Sequence, residues 1–208
     1  MKISYALTVC NEIDEIKRLL TFLIDNKREQ DEIVILIDES NGTKEVKDYI
    51  EDTAHSSEED IGVWYYKLNN DFSSFKNFLN SKCTGDYIYQ IDADEMVSTY
   101  ILDVLPEILQ HNDIDVIQVP RINTVEGLTQ EHIQKWGWRV NDKGWVNFPD
   151  FQMRIYRNNN NIKWKNKVHE VLGGYKTMSY LPLEEEWCLL HPKTIERQVK
   201  QNNYYNTL

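Results

Sequence analysis

Asp92 and Asp94, two residues apart at the end of the apolar run Tyr87-Ile88-Tyr89-Gln90-Ile91, are the residues best placed to do chemistry in this chain. Side chains alternate along an extended strand, so the two carboxylates are expected to point the same way. Two carboxylates facing one point at a strand end make a site for a hard divalent cation. Such a cation commonly brings a phosphate-bearing substrate with it. An isolated Asp-x-Asp is common by chance, so its surroundings must carry the reading.

The elements that must position this pair alternate in type. Residues 3–9 read as a strand. Ile13, Ile16, Leu19, Leu20 and Leu23 then recur at helical spacing, with Asn11 as a plausible cap. A second strand spans 32–37 and ends at Asp38, and a turn at Ser40-Asn41-Gly42-Thr43 leads into a helix carrying Val46, Tyr49 and Ile50. A third strand over 63–67 and a short helix over 75–80 precede the strand that ends in Asp92. This βαβα rhythm predicts an α/β fold with a largely parallel sheet covered on both faces. Ligands of such sheets bind beyond the carboxyl ends of the strands. Cys10-Asn11-Glu12, Asp38 and Asp92-Ala93-Asp94 all fall at such ends, so they are candidates for one shared edge.

The second half reads differently. A helix over about 98–109 contains Pro106, which is expected to kink it or mark a restart. Strands are expected over 116–120 and 151–156, separated by an irregular stretch with Trp136, Trp138, Trp145 and Phe148. A turn over 158–161 follows. The end, from Pro192, reads as a polar helix that stops at Tyr204-Tyr205-Asn206, as if one domain had been cut from a longer chain.

Composition bounds the possible functions. At 208 residues with 41% hydrophobic content, the chain can bury one substantial core. A net charge of -11 argues against a nucleic-acid or anionic-membrane binder, which would need a basic face. Cys10, Cys83 and Cys188 are odd in number and widely spaced, which suggests reduced thiols and a cytoplasmic setting. No signal peptide and no apolar run long enough for a transmembrane segment is evident.

Taken in order, several segments resemble family 2 glycosyltransferases of the GT-A fold, nearest to the branch that builds lipopolysaccharide cores. They are Leu7-Thr8-Val9-Cys10-Asn11-Glu12, Ile37-Asp38-Glu39-Ser40-Asn41-Gly42-Thr43, Phe75-Lys76-Asn77-Phe78 with Thr84-Gly85-Asp86, and Asp92-Ala93-Asp94-Glu95. Phe148-Pro149-Asp150-Phe151-Gln152-Met153-Arg154-Ile155-Tyr156-Arg157 and Val168-His169-Glu170 complete the set. Each is weak alone; the ordered set is strong. An enzyme with which a large DNA virus glycosylates its own capsid, acting in the host cytoplasm, is one form the resemblance could take.

The resemblance implies a single GT-A domain over 1–208, with a central mostly parallel mixed sheet flanked by helices. Residues 1–95 would bind the nucleotide sugar and 96–208 would face the acceptor. It implies inverting transfer from a UDP-sugar, UDP-glucose or a related hexose, to a hydroxyl of a glycan or glycoconjugate, with Mn²⁺ or Mg²⁺ bridging the diphosphate. On that reading Asp38 holds the base or ribose, with Thr8 and Glu12 lining the pocket. Lys76 lies near the nucleotide, and Asp92 and Ala93 contact the donor. Asp92, Asp94 and His169 hold the metal, with His191 as the competing ligand. Asp150 is the catalytic base, and Glu95 faces the acceptor side or solvent.

Each residue also has a plainer reading. Asp38 could cap the following helix, and Glu12 could be a first-turn acid that complements the helix dipole. Lys76 could be a surface charge. Arg154 and Arg157 could face the diphosphate or the solvent. The tryptophans could pack the second half onto the sheet, with one or two lining an acceptor groove. A haloacid-dehalogenase-type phosphatase would want Thr or Val where Met96 stands and would place its motif earlier. A sugar-phosphate nucleotidyltransferase would want a Gly-rich basic loop near the start. A non-catalytic nucleotide-sugar-binding module would tolerate loss of Asp150 or of the metal pair, yet the expected polar positions are all present.

Overall fold

The computed structural model describes the backbone of residues 1–205 and the side chains through Asn203. The side chains of Tyr204 and Tyr205, and Asn206, lie outside the described residues. The first half consists of β1 (Ile3–Val9), α1 (Ile13–Asn26), β2 (Glu32–Asp38), α2 (Lys44–Ser56), β3 (Ile61–Tyr66), α3 (Phe72–Asn80) and β4 (Tyr87–Asp92). The second half adds α4 (Thr99–His111), β5 (Val116–Glu126), α5 (Gln130–Trp136), β6 (Val146–Arg157), β7 (Lys163–Lys165), β8 (Val171–Gly173), β9 (Met178–Tyr180), β10 (Leu189–Thr194) and α6 (Ile195–Tyr205).

One sheet runs through both halves in the order β10-β5-β6-β4-β1-β2-β3, with β9 pairing the start of β5. β3, β2, β1 and β4 are mutually parallel, whereas β6 runs antiparallel to both β4 and β5. β1, β2 and β4 are near-continuous apolar runs because helices cover both faces of a central parallel strand. α1 shows the complementary logic. Ile16, Leu19, Leu20 and Leu23 form one buried stripe at helical spacing, worth about 1.5–3 kcal/mol each before ordering entropy is subtracted. Truncating one of them, Leu20→Ala for example, should cost about 2–5 kcal/mol.

Several local expectations are revised. Glu12, not Asn11, stands at the N-cap of α1. α4 runs unbroken through Pro106, capped by the Ser98 hydroxyl, so the proline forfeits one helical hydrogen bond without ending the helix. Pro192 does not open the last helix. It lies inside β10, which pairs along its length with β5 and bridges Met96 only at Leu190, and proline is tolerated on such an edge strand. The last helix begins at Ile195. Of the tryptophans, only Trp164 is buried in the core. Trp136 and Trp138 instead pack on each other at 4.6 Å, and Trp145 meets Phe148 edge-on at 4.8 Å, in the excursion between β5 and β6.

Candidate active site

The carboxyl ends of β1, β2 and β4 open into a cavity of about 750 Å³, within the ~300–1,000 Å³ usual for small-molecule sites. Thr8 and Glu12 from β1 and its turn, Asp38 from β2, Lys76 from α3, and Asp92, Ala93 and Asp94 after β4 all line it. His169 lines it as well, from the loop between β7 and β8 where its own φ is 54°. The scattered segments therefore meet at one edge. Asp150 is not among the lining residues, although its hydrogen-bond partners Arg121, Asn123 and Gln152 are.

Asp38 is buried and does not cap α2; the Thr43 hydroxyl does. The Asp38 carboxylate accepts from the Ser40 and Leu68 amides and from Asn41 Nδ2. A carboxylate offers about four acceptor positions, so one remains for a ligand donor. Lys76 is not a surface charge. It is buried, pairs with Glu170 at 2.6 Å and lies 4.6 Å over the Trp164 ring. Glu12 accepts from the Cys10 and Asn11 amides, and burial, reinforced by the charge of Asp94, raises its carboxyl.

Asp92 and Asp94 do not act as a parallel pair. β4 stops at Asp92 and the chain turns at Ala93-Asp94, so strand alternation no longer governs Asp94. Asp92 accepts from the Thr8 hydroxyl at 2.7 Å, from Gln90 Nε2 at 2.8 Å and from Arg154 at 2.5 Å. Burial by itself would raise its carboxyl, but the Arg154 and Lys76 charges and those hydrogen bonds hold it well below the usual range. A dication on Asp92 would stand against the Arg154 guanidinium, 2.5 Å from its Oδ2. Asp94 turns toward β10, where His191 Nε2 lies 3.2 Å from its Oδ2. Burial would raise this carboxyl too, but the His191 hydrogen bond and the nearby charges bring it down to about 2.

The histidine that bonds Asp94 is His191, while His169 lines the cavity from the loop between β7 and β8. Among the described residues no three His, Cys, Asp or Glu side chains are grouped to hold an ion by themselves. Asp94 and His191 do fit a substrate-assisted site. An oxygen and an imidazole nitrogen 3.2 Å apart suit an ion such as Mn²⁺ when phosphate oxygens complete its shell.

Beneath these residues lies a charge network that sequence reasoning missed. Arg154 is buried and bonds Gln90, Asp92 and Glu95. Glu95 does not face solvent or acceptor. It is fully buried, pairs with Arg154 at 2.6 Å and Arg121 at 2.8 Å, and accepts from the Asp92 amide. Arg157, three residues after Arg154, pairs instead with Asp113 and Asp115 away from the cavity. Arg121 also clamps Asp150 through two nitrogens, at 2.8 and 2.9 Å. Burial would raise the Asp150 carboxyl, but the Arg121 charge and bonds from Asn123, Arg121 and Gln152 lower it. The one available signal was the alternation of Arg154 with apolar residues, which marks a face but not its partners. His191 and Lys193 would have stood out had residues 189–194 been read as a strand.

The model of glycosyl transferase family 2 matches residues 4–187. Glycosyltransferase SunS of Bacillus phage SPbeta, and the prophage-derived SunS of Bacillus subtilis (strain 168), are each 28% identical over 171 residues. Those matches cover 81% of this chain and 34% of theirs, so the chain spans about a third of the curated relatives' length. Crystal structures of S. aureus TarS 1-349 superpose with TM-scores of 0.65 alone and 0.67 in complex with UDP-GlcNAc. They are 14% and 15% identical, covering 92% and 93% of this chain and 60% and 59% of theirs, a likeness of fold. The order of the strands, the cavity at their carboxyl ends and the family match over most of the chain agree: it belongs to glycosyl transferase family 2 and has the GT-A fold.

Proposed function

We propose that the chain is an inverting glycosyltransferase that moves a sugar from a UDP-sugar to a hydroxyl of a glycan or glycoconjugate. The observation that carries this reading is one cavity holding Asp38, Lys76, Asp92 and Asp94 together at the strand ends, beside the paired Arg121 and Asp150. SunS, which is similar in sequence, is named a glycosyltransferase, and TarS, which is similar in fold, was crystallised with UDP and with UDP-GlcNAc. Family membership displaces the phosphatase alternative. A non-catalytic module is disfavoured by the intact polar set around Asp94 and Asp150.

In this mechanism Asp38 uses its remaining lone pair to hold the uridine, with Thr8 alongside. Asp92 is kept ionised by Arg154 and fixes the floor of the donor pocket. Asp94 and His191 would hold a divalent ion, Mn²⁺ or Mg²⁺, which when bound supplies Lewis-acid neutralisation of the diphosphate. Asp150 is held by Arg121 and Asn123 through Oδ2, while Oδ1 accepts from Gln152. Oδ1 therefore takes the acceptor proton as the hydroxyl oxygen bonds to the anomeric carbon. The bond from that carbon to the diphosphate breaks on the opposite face, which inverts the centre.

A panel of nucleotide sugars assayed for hydrolysis and transfer with Mn²⁺, Mg²⁺ or EDTA tests this reading, on wild type and Asp94→Ala. Turnover that needs a divalent ion and is lost in Asp94→Ala supports it. Metal-independent turnover, or an unaffected Asp94→Ala, removes the metal-dependent mechanism. No helix among the described residues is long and apolar enough to cross a membrane.

A further inference from the structure

We propose that the Lys193 ammonium is a built-in anion site that receives a phosphate oxygen of the leaving diphosphate, an inference resting on the nucleotide-sugar reading above. Lys193 lies on β10 two residues after His191, so strand alternation directs both side chains to the same face, toward the cavity they line. Its side chain is only 7% exposed.

The other cations of this region each have a carboxylate at hydrogen-bonding distance. Lys76 has Glu170 at 2.6 Å, Arg121 has Asp150 at 2.8 Å, Arg154 has Asp92 at 2.5 Å, and Arg197 has Glu15. Among the described residues Lys193 is the exception. It donates to the neutral Gln201 Oε1 at 2.6 Å, and Asp94 Oδ2 is 3.8 Å away. That same Asp94 oxygen is already met by His191 at 3.2 Å and lies 3.5 Å from Arg197. A chain of net charge -11 therefore buries an under-compensated ammonium at the wall of the cavity that gathers the strand ends.

Taking an ammonium out of water is costly unless a counter-charge enters with it. The group has three donor protons and Gln201 uses one, so two remain for oxygens of an anion. As the sugar leaves, the broken carbon–oxygen bond delivers its electron pair to a phosphate oxygen. A fixed cation at that oxygen stabilises the growing charge without reorganising.

Calorimetric titration of wild type, Lys193→Met and Lys193→Arg with UDP, uridine and inorganic pyrophosphate, all in EDTA, tests the proposal. One charge-assisted hydrogen bond corresponds to about a ten- to hundredfold loss of affinity. We expect that loss in Lys193→Met for UDP and pyrophosphate, no change for uridine, and recovery in Lys193→Arg. Should Lys193→Met not fold, Lys193→Gln, which keeps a polar partner for Gln201, takes its place with the same expectations. Equal UDP and pyrophosphate affinities in wild type and variant would overturn the proposal, as would an equal loss for uridine. Pyrophosphate binding that depends on Lys193, with no added affinity for UDP, would keep the anion site and remove the nucleotide reading. If wild type binds none of the three in EDTA, the anion site falls, and UDP binding that returns with Mn²⁺ would leave the nucleotide-sugar reading standing.

Discussion

Replacing Arg154 by Met isolates the network under the donor pocket. Arg154 donates at 2.6 Å to Gln90, 2.6 Å to Glu95 and 2.5 Å to Asp92, and its side chain is 3% exposed. Hydrogen bonds to charged groups contribute about 1.5–3 kcal/mol each, so the two carboxylate bonds represent about 3–6 kcal/mol before desolvation is counted. The damage is limited because Glu95 keeps Arg121, and Asp92 keeps Thr8 and Gln90. It is enlarged because Glu95 is fully buried and would hold its charge on one partner. Breaking a buried ion pair from one side typically costs about 3–5 kcal/mol, and we expect Arg154→Met to fall in that range. Against a total stability of about 5–15 kcal/mol, this is a large shift in the urea midpoint, readable by tryptophan fluorescence. Arg157→Met is the control, since its partner Asp113 is exposed and the pair should move the midpoint far less. A loss below about 1 kcal/mol for Arg154→Met, or equal losses for the two variants, would refute the network as a structural floor.

Asp150→Asn should lower kcat about 10²- to 10⁴-fold while UDP-sugar affinity stays unchanged; retained turnover would remove Asp150 as the base. His191→Ala should abolish the response of UDP affinity to Mn²⁺, and His169→Ala should leave it intact; the opposite pattern would restore His169 as the ligand. Glu32 supplies a stability prediction. Burial would raise its carboxyl, but hydrogen bonds from Lys2, Ser4 and Thr84 outweigh that and hold it at about 2. A lowered carboxyl stabilises the fold above its unfolded value of about 4.3, and that stability is lost as pH falls toward 2. Because Lys2 is 30% exposed, the contribution is discounted to on the order of 2 kcal/mol. Glu32→Gln should therefore flatten the acid side of a urea-midpoint-against-pH curve, and an unchanged slope between pH 5 and 2 would count against it.

The Rossmann-like half is legible in the chain alone. Period-2 and period-3.6 apolar patterns are local, and each buried strand or stripe is written contiguously, as in Ile3–Val9 and in Ile16, Leu19, Leu20 and Leu23. The sequence also placed Glu12, Asp38, Asp92 and Asp94 at one edge, because parallel topology gathers strand ends whatever their separation. Tertiary structure decided what each charge does. Asp92 and Asp94 look alike in sequence, but one meets Arg154 across 62 residues and the other His191 across 97. Glu95 seemed bound for solvent until β5 and β6 brought Arg121 and Arg154 against it. Such pairings depend on sheet register between distant strands, and no local pattern records register. The aromatics around the excursion between β5 and β6 are the same lesson in packing: Trp136 and Trp138 cover each other, and Trp145 meets Phe148, outside the core.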